Sequence, residues 1–266
     1  MEGWIRYVFP LFCIAMWASF GVGLAQGSWT SVQWAMLAVS AVGCLLVFVN
    51  FVWVFTWSYV IAMVGAGAIT LWNSGGRLLP VLVALLFLAY GIRMGIFLAA
   101  RTRSASFRQR AARMGKATVP VPLQVFLWVM VTALLAFEGM PAILSTQEGP
   151  REGLVWAGLV VGALGLALEA WADASKQRAK EKSPDRPAMG GIFSRWRHPN
   201  FTGEIVFQVG VLLVGQGVAT STWQRIVLAL APIYLMLLMV WTAGHNDEVA
   251  ATAYDDEEYR AYAGRS

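Results

Sequence analysis

Apolar residues run along this chain in stretches of about 20, separated by short clusters of Arg, Lys, Gly and Pro. About 20 residues is the length an α-helix needs to cross a hydrocarbon layer of roughly 30 Å. The stretches fall near 5–25, 32–50, 53–72, 78–99, 122–144, 153–172, 200–219 and 223–243, which predicts eight spanning helices. Backbone within lipid must satisfy its own hydrogen bonds, and the alternating strands of about ten residues that build a transmembrane barrel do not occur. The expected fold is therefore an all-α, polytopic integral membrane bundle. The tract from 32 to 72 is the ambiguous one, interrupted only by Asn50 and the cluster Trp53, Trp57 and Tyr59. One long kinked helix there would reduce the count to seven. The first run has no small-residue cleavage site before Gln26 and reads as a span rather than a removable signal peptide.

Composition agrees with that pattern. Of 266 residues, 58% are hydrophobic and only 13% charged, against roughly 45–50% and about 25% in an average soluble domain. The mean hydropathy of +0.59 excludes a disordered tail, a collagen and a soluble globule. The formal net charge of +5 does not point to nucleic acid, because the basic residues lie between apolar segments rather than on one soluble face. One connection carries Arg101, Arg103, Arg108, Arg110, Arg113 and Lys116, and another Lys176, Arg178, Lys180, Lys182, Arg186, Arg195 and Arg197. The opposite loops offer only Arg77, Arg151 and Arg225, so the positive-inside rule places both basic loops and the C-terminus in the cytoplasm, with a bacterial inner membrane the expected location. From Gly244 the composition turns acidic and tyrosine-rich, through Asp247, Glu248, Asp255 to Glu258 and Tyr254, Tyr259 and Tyr262, giving a cytosolic cap or a frayed end. Cys13 and Cys44 sit in apolar runs without metal-ligand or CxxC spacing, so they read as buried structural thiols and no metal is expected. No inverted repeat of the transporter kind is present.

Ionisable residues in or beside spans are costly and stand out as candidates for function. Tyr90 and Arg93 are three apart on the fourth span, hence on one face. They read either as an arginine snorkelling below an interfacial tyrosine or as part of a site. Glu169 and Asp173 are four apart at the end of the sixth span and read either as a solvated helix end or as two carboxylates on one face that want cations or hydrogen-bond donors, from Arg93 or the basic loops. Glu138, just before Gly139 and Pro141 near the outer end of the fifth span, reads as interfacial. The richest stretch is 190–204. Pro199 suits the first turn of a helix whose free N–H groups face anions, and Arg195, Arg197 and His198 precede it, which outlines a phosphate site. Asn200 and Glu204, four apart, offer an amide and a carboxylate to a ribose or an amide-bearing ring. The same residues equally describe a positive-inside loop followed by a capped helix.

Arg197-His198-Pro199-Asn200-Phe201-Thr202-Gly203-Glu204 resembles the RHPNYxGE signature of the steroid 5α-reductase superfamily, especially its bacterial members. Glu169-Ala170-Trp171-Ala172-Asp173 is similar to that superfamily's E-x-x-A-D segment, and Tyr90-Gly91-Ile92-Arg93 to its W/Y-G-x-R segment. The resemblance divides the chain into an additional N-terminal helix (1–31), a reductase-like membrane domain (32–243) and a cytosolic tail (244–266). It implies an integral membrane enzyme that uses NADPH to reduce a carbon–carbon double bond, conjugated to a carbonyl, in a steroid-like or other lipid drawn from the bilayer. Under it, Arg93, Glu169, Asp173, Arg186, Arg195, Arg197, His198 and Asn200 belong to the cofactor pocket, and Tyr90 and Glu204 to the catalytic layer, with Tyr90 as proton donor. One departure is plain: the steroid reductases pair that tyrosine with an early-helix glutamate, whereas Asn50 to Tyr59 carries no acid. The isoprenylcysteine and phospholipid methyltransferases, which use S-adenosylmethionine, share an R-H-P motif and an acidic, tyrosine-bearing tail, and give the alternative class. A non-enzymatic membrane protein that keeps the fold is the remaining one.

Overall fold

The computed structural model describes residues 5–103, 119–147, 151–183, 186–254 and 256–264. Arg108, Arg110, Arg113, Lys116, Asp255 and the side chain of Arg6 lie outside the described residues. Within them the chain forms α1 (Ile5–Ala25), α2 (Ser31–Cys44), α3 (Trp57–Asn73), α4 (Leu78–Arg103), α5 (Val121–Leu144), α6 (Glu152–Lys182), α7 (Pro199–Val218), α8 (Thr222–Ala253) and a short α9 (Glu257–Ala263). Short 3-10 turns occupy Leu45–Phe48, Phe51–Phe55 and Gly191–Ser194, and no strand occurs among the described residues. Among the described residues, eight helical segments are long and apolar enough to cross a membrane.

The ambiguous tract resolves into two spans. Asn50 leaves helical geometry and accepts a hydrogen bond from the backbone N–H of Val52 at 3.0 Å, an Asx turn that restarts the chain before α3. Two helices run further than hydropathy alone predicts. α6 continues to Lys182 and α8 to Ala253, so the composition change at Gly244 falls inside α8. Lys180 and Lys182 in the last turn of α6 suit the negative end of its dipole.

α5 is the centre of the bundle. Its residues Val131–Leu144 are all buried, and it packs against α1, α2, α3, α7 and α8. Glu138 is consequently enclosed by protein rather than placed at an interface. Both cysteines are free and buried. α1 lies against α5 and α8, with Trp17 donating its indole N–H to the Val129 carbonyl at 3.2 Å.

The tightest contact is between α6 and α7. Gly158, Gly162 and Gly165 on α6 meet Gly203 and Gly210 on α7, so the backbones themselves touch. A methyl built on Gly203 would stand 2.5 Å from the Glu169 nitrogen. This closeness brings Glu169 of α6 level with Glu204 of α7.

Candidate active site

A cavity of about 840 Å³ opens where α4, α6 and α8 end and α7 begins, and it narrows into the bundle. Its volume lies within the roughly 300–1,000 Å³ of ordinary ligand pockets. At the deep end Glu204 is buried and serves as the acceptor for three donors. The Tyr90 hydroxyl donates to Oε2, Tyr59 donates to Oε1 across 3.4 Å, and the Gln208 amide donates to Oε1 at 2.9 Å. That amide also donates to the Tyr59 hydroxyl at 2.9 Å. The Tyr90 ring is held by stacking on Phe207, with centroids 4.1 Å apart, and by an edge contact with Tyr59 at 5.6 Å.

One turn along α4, Arg93 bridges two carboxylates of α6, Nη2 to Glu169 at 2.7 Å and Nη1 to Asp173 at 2.8 Å. The i, i+4 spacing of the two acids and the fork of the guanidinium make this match. The bridge removes the snorkelling alternative: Tyr90 is fully buried, Arg93 is only 18% exposed at its side chain, and its guanidinium carbon lies 5.4 Å from the Tyr90 ring centre.

Nearer the mouth, Pro199 opens α7 after a non-helical His198. Arg197 and His198 both reach Asp247 of α8, at 2.6 and 2.8 Å, so these two basic groups are tied to the tail-side helix. The cavity wall also includes Lys176, Lys180 and Asn200, with Tyr254, Tyr259 and Tyr262 of the C-terminal segment across from them. Tyr262 donates to the Phe193 carbonyl at 2.8 Å, which fixes α9 as a cap rather than a frayed end.

The cavity thus gathers Tyr90, Arg93, Glu169, Asp173, Arg197, His198, Asn200 and Glu204. Arg186 and Arg195 are not in its wall. Arg186 is paired outside it with Asp256 at 3.2 Å and with Glu258, and Arg195 is exposed. Three polar side chains of this interior escaped sequence reasoning. Gln208 continues the Asn200, Glu204 stripe by another four residues, a signal that was present in the spacing. Tyr59 stands in the sequence only as part of the Trp53, Trp57 and Tyr59 cluster that interrupts an apolar tract, and Glu138 as an interfacial acid.

Several buried polar atoms here have no partner within the protein: Asn200 Oδ1, Glu169 Oε2 and Arg93 Nε. Buried groups of this kind are ordinarily satisfied, so they mark where a polar ligand or water completes the wall. A family model described as "Protein of unknown function (DUF1295)" matches residues 41–266. No curated protein matches the chain, and no solved structure does.

Proposed function

The chain belongs to the DUF1295 family, and from that premise together with its polar cavity we propose that it is an integral membrane reductase. It uses NADPH to saturate a carbonyl-conjugated carbon–carbon double bond in a lipid. The observation that carries this reading is the buried Tyr90–Glu204 pair at the closed end of a cavity whose open end is basic. The resemblance of Tyr90 to Arg93, of Glu169 to Asp173 and of Arg197 to Glu204 to the steroid reductase motifs supports it.

The residues suit the cofactor. Asn200 brings an unpartnered amide oxygen and Glu169 an unpartnered carboxylate oxygen, which fit the donors of a carboxamide or ribose. Lys176, Lys180 and Arg197 supply positive charge for phosphates at the mouth, with the His198 imidazole beside them. Arg93 holds Glu169 and Asp173 in place as the rim of this layer. When bound, the nicotinamide supplies a hydride.

Tyr90 then has a defined task. Hydride addition to the β carbon pushes the double-bond electrons toward the conjugated oxygen, and that oxygen must receive a proton or a strong hydrogen bond. Tyr90 gives its hydroxyl proton to the oxygen, and the Glu204 carboxyl group to which it is hydrogen-bonded holds that hydroxyl in position. Tyr59 stands on the same carboxyl, in the segment where the steroid reductases have their glutamate. The early segment of this chain therefore contributes a phenol, and the acid comes from α7. Phe97, Leu98, Leu134 and Leu238 give the cavity wall an apolar lining for a lipid. By the positive-inside rule the mouth faces the cytoplasm, where NADPH is found.

The test is to denature the detergent-purified protein and identify what it releases by mass spectrometry and absorbance. NADP(H) is the expected product. S-adenosylmethionine or S-adenosylhomocysteine would instead assign the methyltransferase class.

A further inference from the structure

Two phenols meet one carboxyl group in the cavity wall, and only one of them has a close acceptor for its proton. Tyr90 commits its hydroxyl to Glu204 Oε2. The Tyr59 hydroxyl lies 3.4 Å from Glu204 Oε1, longer than the roughly 2.5–3.0 Å of an ordinary O–H···O bond. That same Oε1 already accepts from the Gln208 amide at 2.9 Å. The proton of Tyr59 is therefore the loosely held one of the pair.

Gln208 decides where that proton points. Its Nε2 donates to the Tyr59 oxygen at 2.9 Å and so fills one side of it. A phenol has a single O–H, which must then leave the oxygen in another direction. Gln208 is fully buried and stands behind the wall, which among the described residues is formed here by Tyr59, Tyr90 and Glu204. Tyr59 is the more open of the two phenols, 8% exposed against 0% for Tyr90. Their rings touch edge to face with centres 5.6 Å apart, and both hydroxyls reach the one Glu204 carboxyl. A polar ligand atom arriving at Tyr90 thus meets a second donor beside it, oriented from behind and weakly engaged.

We propose that Tyr59 is a second catalytic phenol, donating a hydrogen bond to the same substrate carbonyl oxygen that takes the Tyr90 proton, and that Gln208 is the positioning residue that aims it. The inference rests on the reductase reading and deepens it. The oxygen gathers negative charge as hydride reaches the β carbon, and a preorganised donor facing it stabilises that charge most in the transition state. Tyr59 keeps its proton throughout. The one transferred comes from Tyr90, so the balance of the reaction is unchanged.

Infrared spectroscopy of the purified protein with cyclohexenone, isotope-labelled at its carbonyl carbon and without nucleotide, tests this. Hydrogen bonds lower a carbonyl stretch, so the band of the wild-type complex should lie below that of the enone in empty micelles. Tyr59→Phe and Tyr90→Phe should each return it part of the way, and the double variant should return it fully. A wild-type band at the micelle position, or one that Tyr59→Phe leaves in place, would overturn the proposal. Tyr59→Phe should displace the band less in a Gln208→Leu background than in the wild type. Equal displacement in both backgrounds would refute the positioning role of Gln208. Turnover of the same enone with NADPH gives the second readout: Tyr59→Phe should lower kcat by about ten- to a hundredfold, the worth of a hydrogen bond to a charged oxygen, with KM little changed. A raised KM at unchanged kcat would make Tyr59 a binding contact and would also overturn the proposal. If Gln208→Leu does not fold, Tyr59→Phe, which keeps the ring, still decides. A band moved by Tyr90→Phe alone removes Tyr59 and leaves the reductase reading standing, whereas a chain that releases no NADP(H) sinks that reading whatever the band does.

Discussion

Glu204 is the residue on which the polar interior converges, because two phenols and an amide all donate to it. Tyr90→Phe deletes the proposed proton donor while keeping the ring that stacks on Phe207. Turnover of an enone lipid should fall by about 10²–10⁴-fold, the usual worth of a positioned acid, with the NADPH dissociation constant unchanged. Tyr59→Phe loses a longer hydrogen bond of 3.4 Å and should cost turnover less. Arg93→Ala leaves Glu169 and Asp173 facing each other without their cation, so denaturant unfolding in detergent should show a loss of about 3–5 kcal/mol. Arg93→Lys keeps the charge without the fork and should fall between. Tyr90, Arg93, Glu169, Asp173 and Glu204 were legible in the sequence because a charged or phenolic group in an apolar span is conspicuous and helical spacing pairs it with a neighbour. Tyr59, Gln208 and Glu138 were not, since a tyrosine beside tryptophans and an acid near a span's end each have an ordinary membrane explanation. What separates the cases is burial by the other helices, which no local pattern reports.

The α6/α7 pair is the element that sets the distances in this layer. Gly203→Ala would drive a methyl to within 2.7 Å of the Glu169 Cα and Cβ, and the helices have to separate to take it. We expect a loss of about 1–3 kcal/mol, characteristic of overpacking, together with weaker nucleotide binding as Glu169 and Asp173 move. Gly244→Ala is the matched control, since nothing lies within 4 Å of its added methyl, and its effect should stay within about 0.5 kcal/mol. The span pattern was legible almost residue by residue at the short loops that join the helix pairs, where Gly, Pro and Arg punctuate it. It failed at the C-terminal ends of α6 and α8, because hydropathy records where an apolar run stops and a helix can continue beyond it. Lys176, Lys180 and Asp247, which flank the cavity mouth, all lie on those continuations.

At the scale of the whole molecule, the account requires one end of the bundle to bind a nucleotide and to face the cytoplasm. Buried Cys13 and Cys44 give little background to thiol labelling, which makes orientation measurable. A membrane-impermeant maleimide on intact cells should label Thr220→Cys, in the loop between α7 and α8, and spare Glu257→Cys on α9. The reverse pattern would place the cavity mouth outside. The most direct test of the central claim is equilibrium binding of NADPH and of S-adenosylmethionine to the purified protein, alongside Asp173→Ala and Asn200→Ala. The account predicts that NADPH binds the folded wild type and binds both variants at least about tenfold more weakly, the effect of losing one charged or buried hydrogen bond, while S-adenosylmethionine does not bind. Binding of S-adenosylmethionine in place of NADPH, or NADPH affinity untouched by both substitutions, would contradict it.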